Sequence, residues 1–104
     1  MEAKTCFLAC PLGNSHDKVR DHADWLFDIL KNVFSKADVE IIRADKITAT
    51  GCINKQILER IITADLLIAD LTDCNPNVLF ELGFRYALGR PLIQIIKGGS
   101  KNTF

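Results

Sequence analysis

A narrow polar stripe in the segment 76–88 is the strongest chemical signal in the sequence. Asn77, Glu81 and Arg85 are spaced four residues apart, and nearly all the residues between them are apolar. On a helix this spacing puts the three side chains on one face. A carboxylate held among apolar residues can act as a nucleophile or in proton transfer. The spacing fits equally well a Glu81–Arg85 ion pair that contributes roughly a few tenths of a kcal/mol to stability, so both interpretations stay open.

Further candidate side chains follow short apolar runs of the chain. Asp70 ends one such run, where it can cap the following turn or take part in proton transfer. Arg43 ends another, where it can bind a phosphate or pair with Asp45. His22 and Trp25 fall in a helical segment, where we expect a solvated imidazole and a packing indole. The candidates for substrate binding are Pro11, Leu12, Gly13, Arg43, Asp45, Thr72, Asn75, Asn77 and Arg85.

Two kinds of segment alternate along the chain and must position these residues. Apolar runs at 5–10, 39–44, 65–71 and 91–96 predict strands, and amphipathic patterns at about 15–36, 53–62 and 76–89 predict helices. The run at 65–71 lacks alternation, which is typical of a parallel strand covered on both faces. The order βαβαβαβ with right-handed crossovers predicts an α/β fold. It is a flavodoxin-like open parallel sheet with strand order 2-1-3-4 and helices on both faces.

This fold concentrates the candidate residues at one edge of the sheet. In such sheets a ligand binds beyond the carboxyl ends of the strands, where the strand order reverses. Residues 10–14, 43–46, 70–73 and 97–98 follow the four predicted strands and therefore all fall at that edge. The sequence thus predicts a binding crevice there.

Composition and missing motifs exclude several function classes. The 104 residues form a single domain, 1–104, with 13 basic and 13 acidic side chains. Zero net charge argues against nucleic acid as a partner, and no apolar run is long enough for a membrane span. No GxxxxGK(S/T) or GxGxxG phosphate loop and no GxSxG nucleophile elbow is present. The four cysteines show no metal-ligand spacing and fit reduced thiols, so we expect a cytoplasmic protein with no metal and no cofactor.

The segment ADLLIADLTDCNPNVLFELGFRYALGRPLIQI, residues 64–95, resembles the nucleoside 2-deoxyribosyltransferase-like superfamily. It is most similar to the bacterial Toll/interleukin-receptor-like branch, which carries the pattern DLT-x-x-NPNV-x-x-E. FLACPLG at 7–13 resembles the first strand and loop of that family, and RADKITATGCI at 43–53 resembles the exit of its second strand. The resemblance covers nearly the whole chain.

The resemblance implies an enzyme that cleaves or transfers at an N-glycosidic bond of a nucleoside, a nucleotide or NAD. The catalytic glutamate of the family falls on Glu81, which would attack the anomeric carbon of the sugar. Asp70 is the expected acid for the departing base, with Asp45 as second choice. Arg43 or Arg85 would bind a phosphate. A homodimer through the third helix, with Phe80 and Phe84 facing the second subunit, is also expected.

The sequence departs from the family in two places. The transferases usually carry Asp six residues before the catalytic Glu, and here that residue is Asn75, which cannot exchange protons. The family also continues beyond the fourth strand, so a chain shortened at its C-terminus is expected. The alternative function is a catalytically silent module of the same fold that binds a nucleotide or assembles a partner.

Overall fold

The structure, a computed structural model, describes residues 4–12, 17–43 and 53–98. Within them four strands alternate with three helices. The strands are β1 (Lys4–Ala9), β2 (Val39–Arg43), β3 (Leu66–Asp70) and β4 (Leu92–Ile95), and the helices are α1 (Lys18–Ser35), α2 (Ile53–Thr63) and α3 (Pro76–Ala87). A short 3-10 turn, Thr72–Cys74, separates β3 from α3. Each element lies within a few residues of its predicted range.

The four strands form one parallel sheet in the order β2-β1-β3-β4. β1 lies between β2 and β3, with Phe7 opposite both Ile42 and Leu67. This confirms the predicted flavodoxin-like α/β topology. Because all strands run the same way, their carboxyl ends share one edge of the sheet.

Local side-chain caps fix where α1 and α3 begin. Asp17 accepts a hydrogen bond from the Arg20 backbone N–H at 2.8 Å and so caps α1. Asn75 accepts from the backbone N–H groups of Asn77 and Val78, and Pro76 occupies the first helical position. The predicted start of α3 is thereby confirmed.

A separate apolar core lies on each face of the sheet. Phe7, Ala9 and Leu67 pack against α2 and α3, whereas Cys6 and Leu8 pack against α1. Successive residues of a strand point to opposite faces, so β1 contributes to both cores. Burial raises the pKa of the Cys6 thiol to about 11, so this sulfur is a neutral part of the core.

Arg85 holds together three parts of the α2–α3 face. Its buried guanidinium donates to the carbonyl oxygen of Ile61 at 2.7 Å and to that of Pro91 at 3.0 and 3.2 Å. These bonds join α3 to the end of α2 and to the residue before β4. Arg85 therefore serves the backbone, which corrects both the expected phosphate contact and the alternative ion pair with Glu81.

Replacing Arg85 by Met should lower the free energy of unfolding by about 3 kcal/mol, because two backbone carbonyls lose their donor. Urea unfolding followed by circular dichroism measures the change. Lys31→Met on the exposed side of α1 is the control and should leave the midpoint unchanged. Equal midpoints for Arg85→Met and the parent would contradict this role.

Candidate active site

A cavity of about 570 Å³ opens at the carboxyl edge of the sheet on the α2–α3 face. Its walls come from the end of β1 and the residues after it, the last residue of β2, the helix α2 and the first half of α3. A volume of this size lies within the range of small-molecule sites in proteins. The cavity lies at the edge where the sequence predicted a binding crevice.

Glu81 supplies a carboxyl group to this cavity from the second turn of α3. Its Oε2 atom is buried and has no hydrogen-bond partner among the described residues. Removal of the carboxyl from water raises the pKa of Glu81 to about 7. At neutral pH the group therefore exists in both protonation states, which suits a nucleophile or a proton-transfer group.

The packing of α3 explains why a carboxyl can be held in this position. Val78 is buried in the core of the α2–α3 face, and Leu79 and Leu82 pack against that core. These side chains and the Asn75 cap fix the helix, so the orientation of Glu81 follows from the helix and not from a partner of its own. A carboxylate oxygen that faces a cavity without a hydrogen-bond partner can bond to an electrophilic carbon or accept a proton from a ligand.

Several predicted binding residues line the same cavity as Glu81. They are Pro11, Leu12, Arg43, Asn75 and Asn77. Asn77 lies one helical turn before Glu81 and presents an exposed amide, whereas the side-chain oxygen of Asn75 is used by the helix cap. The predicted residues Gly13 and Asp45 lie outside the described residues.

Asp70 lies on the other face of the sheet and does not line the cavity. Its Oδ1 accepts from the backbone N–H of Thr72 at 3.1 Å and from the Thr72 hydroxyl at 2.6 Å. Its Oδ2 lies 2.9 Å from His22 Nε2. The residue is 1% exposed, and each oxygen of its carboxyl has a partner in these contacts. The structure thus corrects the expectation that Asp70 serves as the acid beside Glu81.

Thr72 belongs to the same network. Its hydroxyl also accepts a hydrogen bond from the Lys97 backbone N–H at 3.0 Å. The side chain therefore links the ends of β3 and β4 and does not reach the cavity. The expected substrate contact of Thr72 is corrected in the same way.

The environment of His22, in the same network, also differs from the expectation. The imidazole was expected to be solvated, but it lies against Asp70 and stacks on the Trp25 ring with 5.8 Å between the centroids. The spacing of three residues between His22 and Trp25 on α1 is a local signal for the stacking. No local signal announces a partner 48 residues away.

Arg43 is held by α1. Its guanidinium donates to Asp24 Oδ1 at 2.8 Å and lies over the Phe27 ring, 5.0 Å from the centroid. The residue is buried and also lines the cavity. Its positive charge therefore lies close to the site but is shared with Asp24.

Two further findings concern the described residues as a whole. No group of three or more His, Cys, Asp or Glu side chains in residues 4–12, 17–43 and 53–98 has a geometry that could hold a metal ion. No helix in the same residues is both long enough and apolar enough to cross a bilayer.

Glu81→Gln should make the stability of the protein less dependent on pH. A carboxyl whose pKa is raised by folding binds its proton more tightly in the folded state, so ionisation between about pH 4.5 and 7 lowers stability. The neutral amide avoids this loss. At about pH 8.5 we expect Glu81→Gln to be more stable than the parent by on the order of 2 kcal/mol, since the carboxyl is only partly shielded from water.

Urea unfolding of both proteins at about pH 4 and pH 8.5 measures this difference, which should be close to zero at the lower pH. Glu40→Gln, an exposed position on β2, is the matched control. A stability difference of the same size at both pH values would mean that ionisation of Glu81 has no linkage to folding.

Solved structures with a similar fold are found among known proteins. No protein-family model matches the sequence, and neither does any curated protein. A 2-deoxyribosyltransferase from Leishmania mexicana superposes with a TM-score of 0.73 at 25% identity, over 89% of this chain and 64% of that one. A 2-deoxyribosyltransferase from Bacillus psychrosaccharolyticus gives a TM-score of 0.72 at 20% identity, over 95% of this chain and 77% of that one.

The chain thus spans less than two thirds of the length of the Leishmania mexicana protein. Nearly all of it nevertheless superposes on both structures, in agreement with the parallel sheet and helix order described above. The chain therefore has a nucleoside 2-deoxyribosyltransferase-like fold.

Proposed function

We propose that this protein cleaves the N-glycosidic bond of a nucleoside with Glu81 as nucleophile and passes the sugar to water or to a second base. The observation that carries the proposal is the buried, unpartnered Glu81 oxygen in the cavity at the carboxyl edge of the sheet. The likeness of the fold to two 2-deoxyribosyltransferases supports the same chemistry.

The reaction begins when the Glu81 carboxylate attacks C1′ of the sugar. A C1′–O bond forms, and the C1′–N bond breaks with its electron pair leaving on the base nitrogen, which takes a proton from water. The sugar is then held as an ester of Glu81. Attack on C1′ by water gives hydrolysis, and attack by a second base gives transfer. The attacking water or base gives up a proton that neutralises the hydroxide left by the first step, and the Glu81 carboxylate is restored.

The desolvated carboxylate suits this step for an electrostatic reason. The transition state carries positive charge on the sugar, and an ionised carboxylate stabilises that charge more strongly in a partly dry cavity than in water. The cavity therefore raises the free energy of the ionised Glu81 carboxylate before the attack. The positive charge that develops on the sugar in the transition state then compensates for this cost. The amides of Asn75 and Asn77 line the same cavity and can form hydrogen bonds to the substrate, but amides do not transfer protons.

NAD is a second candidate substrate, and a specific observation favours it. Glu81 is the only carboxylate among the described residues that line the cavity. The nicotinamide of NAD is cationic in the dinucleotide and leaves as a neutral base, so its departure needs no acid. A nucleoside 5′-phosphate is the third member of the test panel, since Arg43 also borders the cavity.

Glu81→Gln should abolish base release from nucleosides, nucleoside 5′-phosphates and NAD, with a loss of at least about a thousandfold. Liquid chromatography of the released base measures the turnover, and Glu40→Gln is the matched control. For the parent protein kcat/KM should rise with pH and level off above about 7, because attack needs the ionised carboxyl. Equal turnover by Glu81→Gln and the parent would contradict the proposal. Equal ligand binding by both proteins with no base release would instead favour a silent nucleotide-binding module.

The expected homodimer through α3, the Toll/interleukin-receptor-like branch and the cytoplasmic location stay predictions. Phe80 and Phe84 lie one helical turn apart on α3 and are exposed apolar side chains, which is the feature that motivates the dimer.

Phe84→Asp should convert a dimer into a monomer, because a charge in an apolar contact loses its hydration. Sedimentation velocity over a range of concentrations measures the change, with Lys31→Asp on α1 as control. A parent protein that is monomeric at high concentration would show that α3 forms no dimer contact.

A further inference from the structure

The cavity contains one aromatic side chain whose exposure the fold does not explain. Phe80 lines the cavity, yet 63% of its surface is exposed. It is the only aromatic residue among the described residues of the cavity wall. A ligand that covers this large apolar ring removes it from water, which stabilises the complex between the protein and the ligand.

The position of Phe80 relative to Glu81 identifies the part of a substrate that it can reach. The two residues are adjacent in α3 and both line the cavity, so a ligand that fills the cavity can contact both side chains. If the sugar carbon C1′ lies at the Glu81 carboxyl, the base bonded to C1′ lies directly beside that carboxyl. A planar base next to Glu81 therefore comes within reach of the Phe80 ring.

A second aromatic ring lies beside Phe80. The Phe84 ring lies 6.4 Å from the Phe80 ring, with 35° between the planes. Phe84 does not line the cavity. An aromatic pair of this geometry restricts the ring, so less conformational entropy is lost when a base stacks on it.

We propose that Phe80 is the base platform of the site: it stacks on the nucleobase of the substrate and so sets affinity for the base but not the rate of the chemical step. This inference rests on the proposed function. Every base has a π face, so stacking tolerates both purines and pyrimidines. Purines offer the larger face, and their binding depends more strongly on Phe80.

The first test separates binding from chemistry. Phe80→Ala should raise KM for a purine nucleoside roughly tenfold and for a pyrimidine nucleoside less, with kcat within about twofold of the parent. Phe80→Leu keeps an apolar side chain without a π face and should lie between Phe80→Ala and the parent. Tyr86→Ala is the matched control, since Tyr86 is 74% exposed on the same helix and does not line the cavity.

The second test does not require turnover. Adenosine binding by calorimetry is compared between Glu81→Gln and the double variant Glu81→Gln/Phe80→Ala, where we expect a dissociation constant roughly tenfold higher in the double variant. Activity retained by Glu81→Gln would contradict the proposed nucleophile, while this comparison would still decide the role of Phe80.

Three results would overturn the base platform. The first is adenosine affinity and KM unchanged by Phe80→Ala, and the second is Phe80→Leu equal to the parent, which would show that apolar size alone suffices. The third is a change of sedimentation coefficient in Phe80→Ala without any change in KM, which would assign the ring to a subunit contact.

Discussion

The site depends on one electrostatic constraint, a carboxyl group that is held partly out of water without a partner for one of its oxygens. Burial of Glu81 disfavours its charged form and raises its pKa to about 7, so ionisation of this group lowers the stability of the folded protein. Such a group persists only where the surrounding structure fixes it. The same constraint makes the carboxylate reactive, because a developing positive charge in the cavity compensates for the water that it lacks.

The helix α3 satisfies this constraint by using different residues for different contacts. Asn75 caps its start, Val78 anchors it on the core, and Arg85 joins its end to the backbone of α2 and of the residue before β4. With the helix fixed at three places, Glu81 needs no partner of its own to keep its position. Val78, Leu79 and Leu82 are the apolar residues of α3 that belong to the core, whereas Phe80, Phe84 and Tyr86 are exposed.

Patterns of the sequence predicted the fold because the relevant information is local. Apolar runs, helix caps and the Asn75–Pro76 start of α3 each depend on a few neighbouring residues, and the crossover rule then fixes the order of strands. The edge that carries the cavity and the position of Glu81 within it follow from the same rules. The structure agrees with the sequence on these points because apolar runs, caps and helix faces depend on neighbouring residues, and the strand order is the simplest one for this order of elements.

The errors concern residues whose roles depend on distant partners or on the face of a strand. β3 is apolar on both faces, so its sequence holds no alternation that would show Asp70 pointing towards α1 and away from Glu81. Strand periodicity alone could place Asp70 and Ala69 on opposite faces, but it could not say which face carries the cavity. The spacing of Arg85 suggested a contact with Glu81, whereas its carbonyl partners on Ile61 and Pro91 become neighbours only after folding.

The titration of the Glu81 carboxyl tests this account most directly. The side-chain carboxyl carbon, enriched in ¹³C and assigned by comparison with Glu81→Gln, reports its protonation by NMR between about pH 3 and 9. The account predicts a midpoint near 7, well above the ordinary value of 4.5, and a downward shift of that midpoint if a positively charged ligand occupies the cavity. A midpoint at the ordinary value in the free protein would show a solvated carboxyl and would contradict the role given to Glu81.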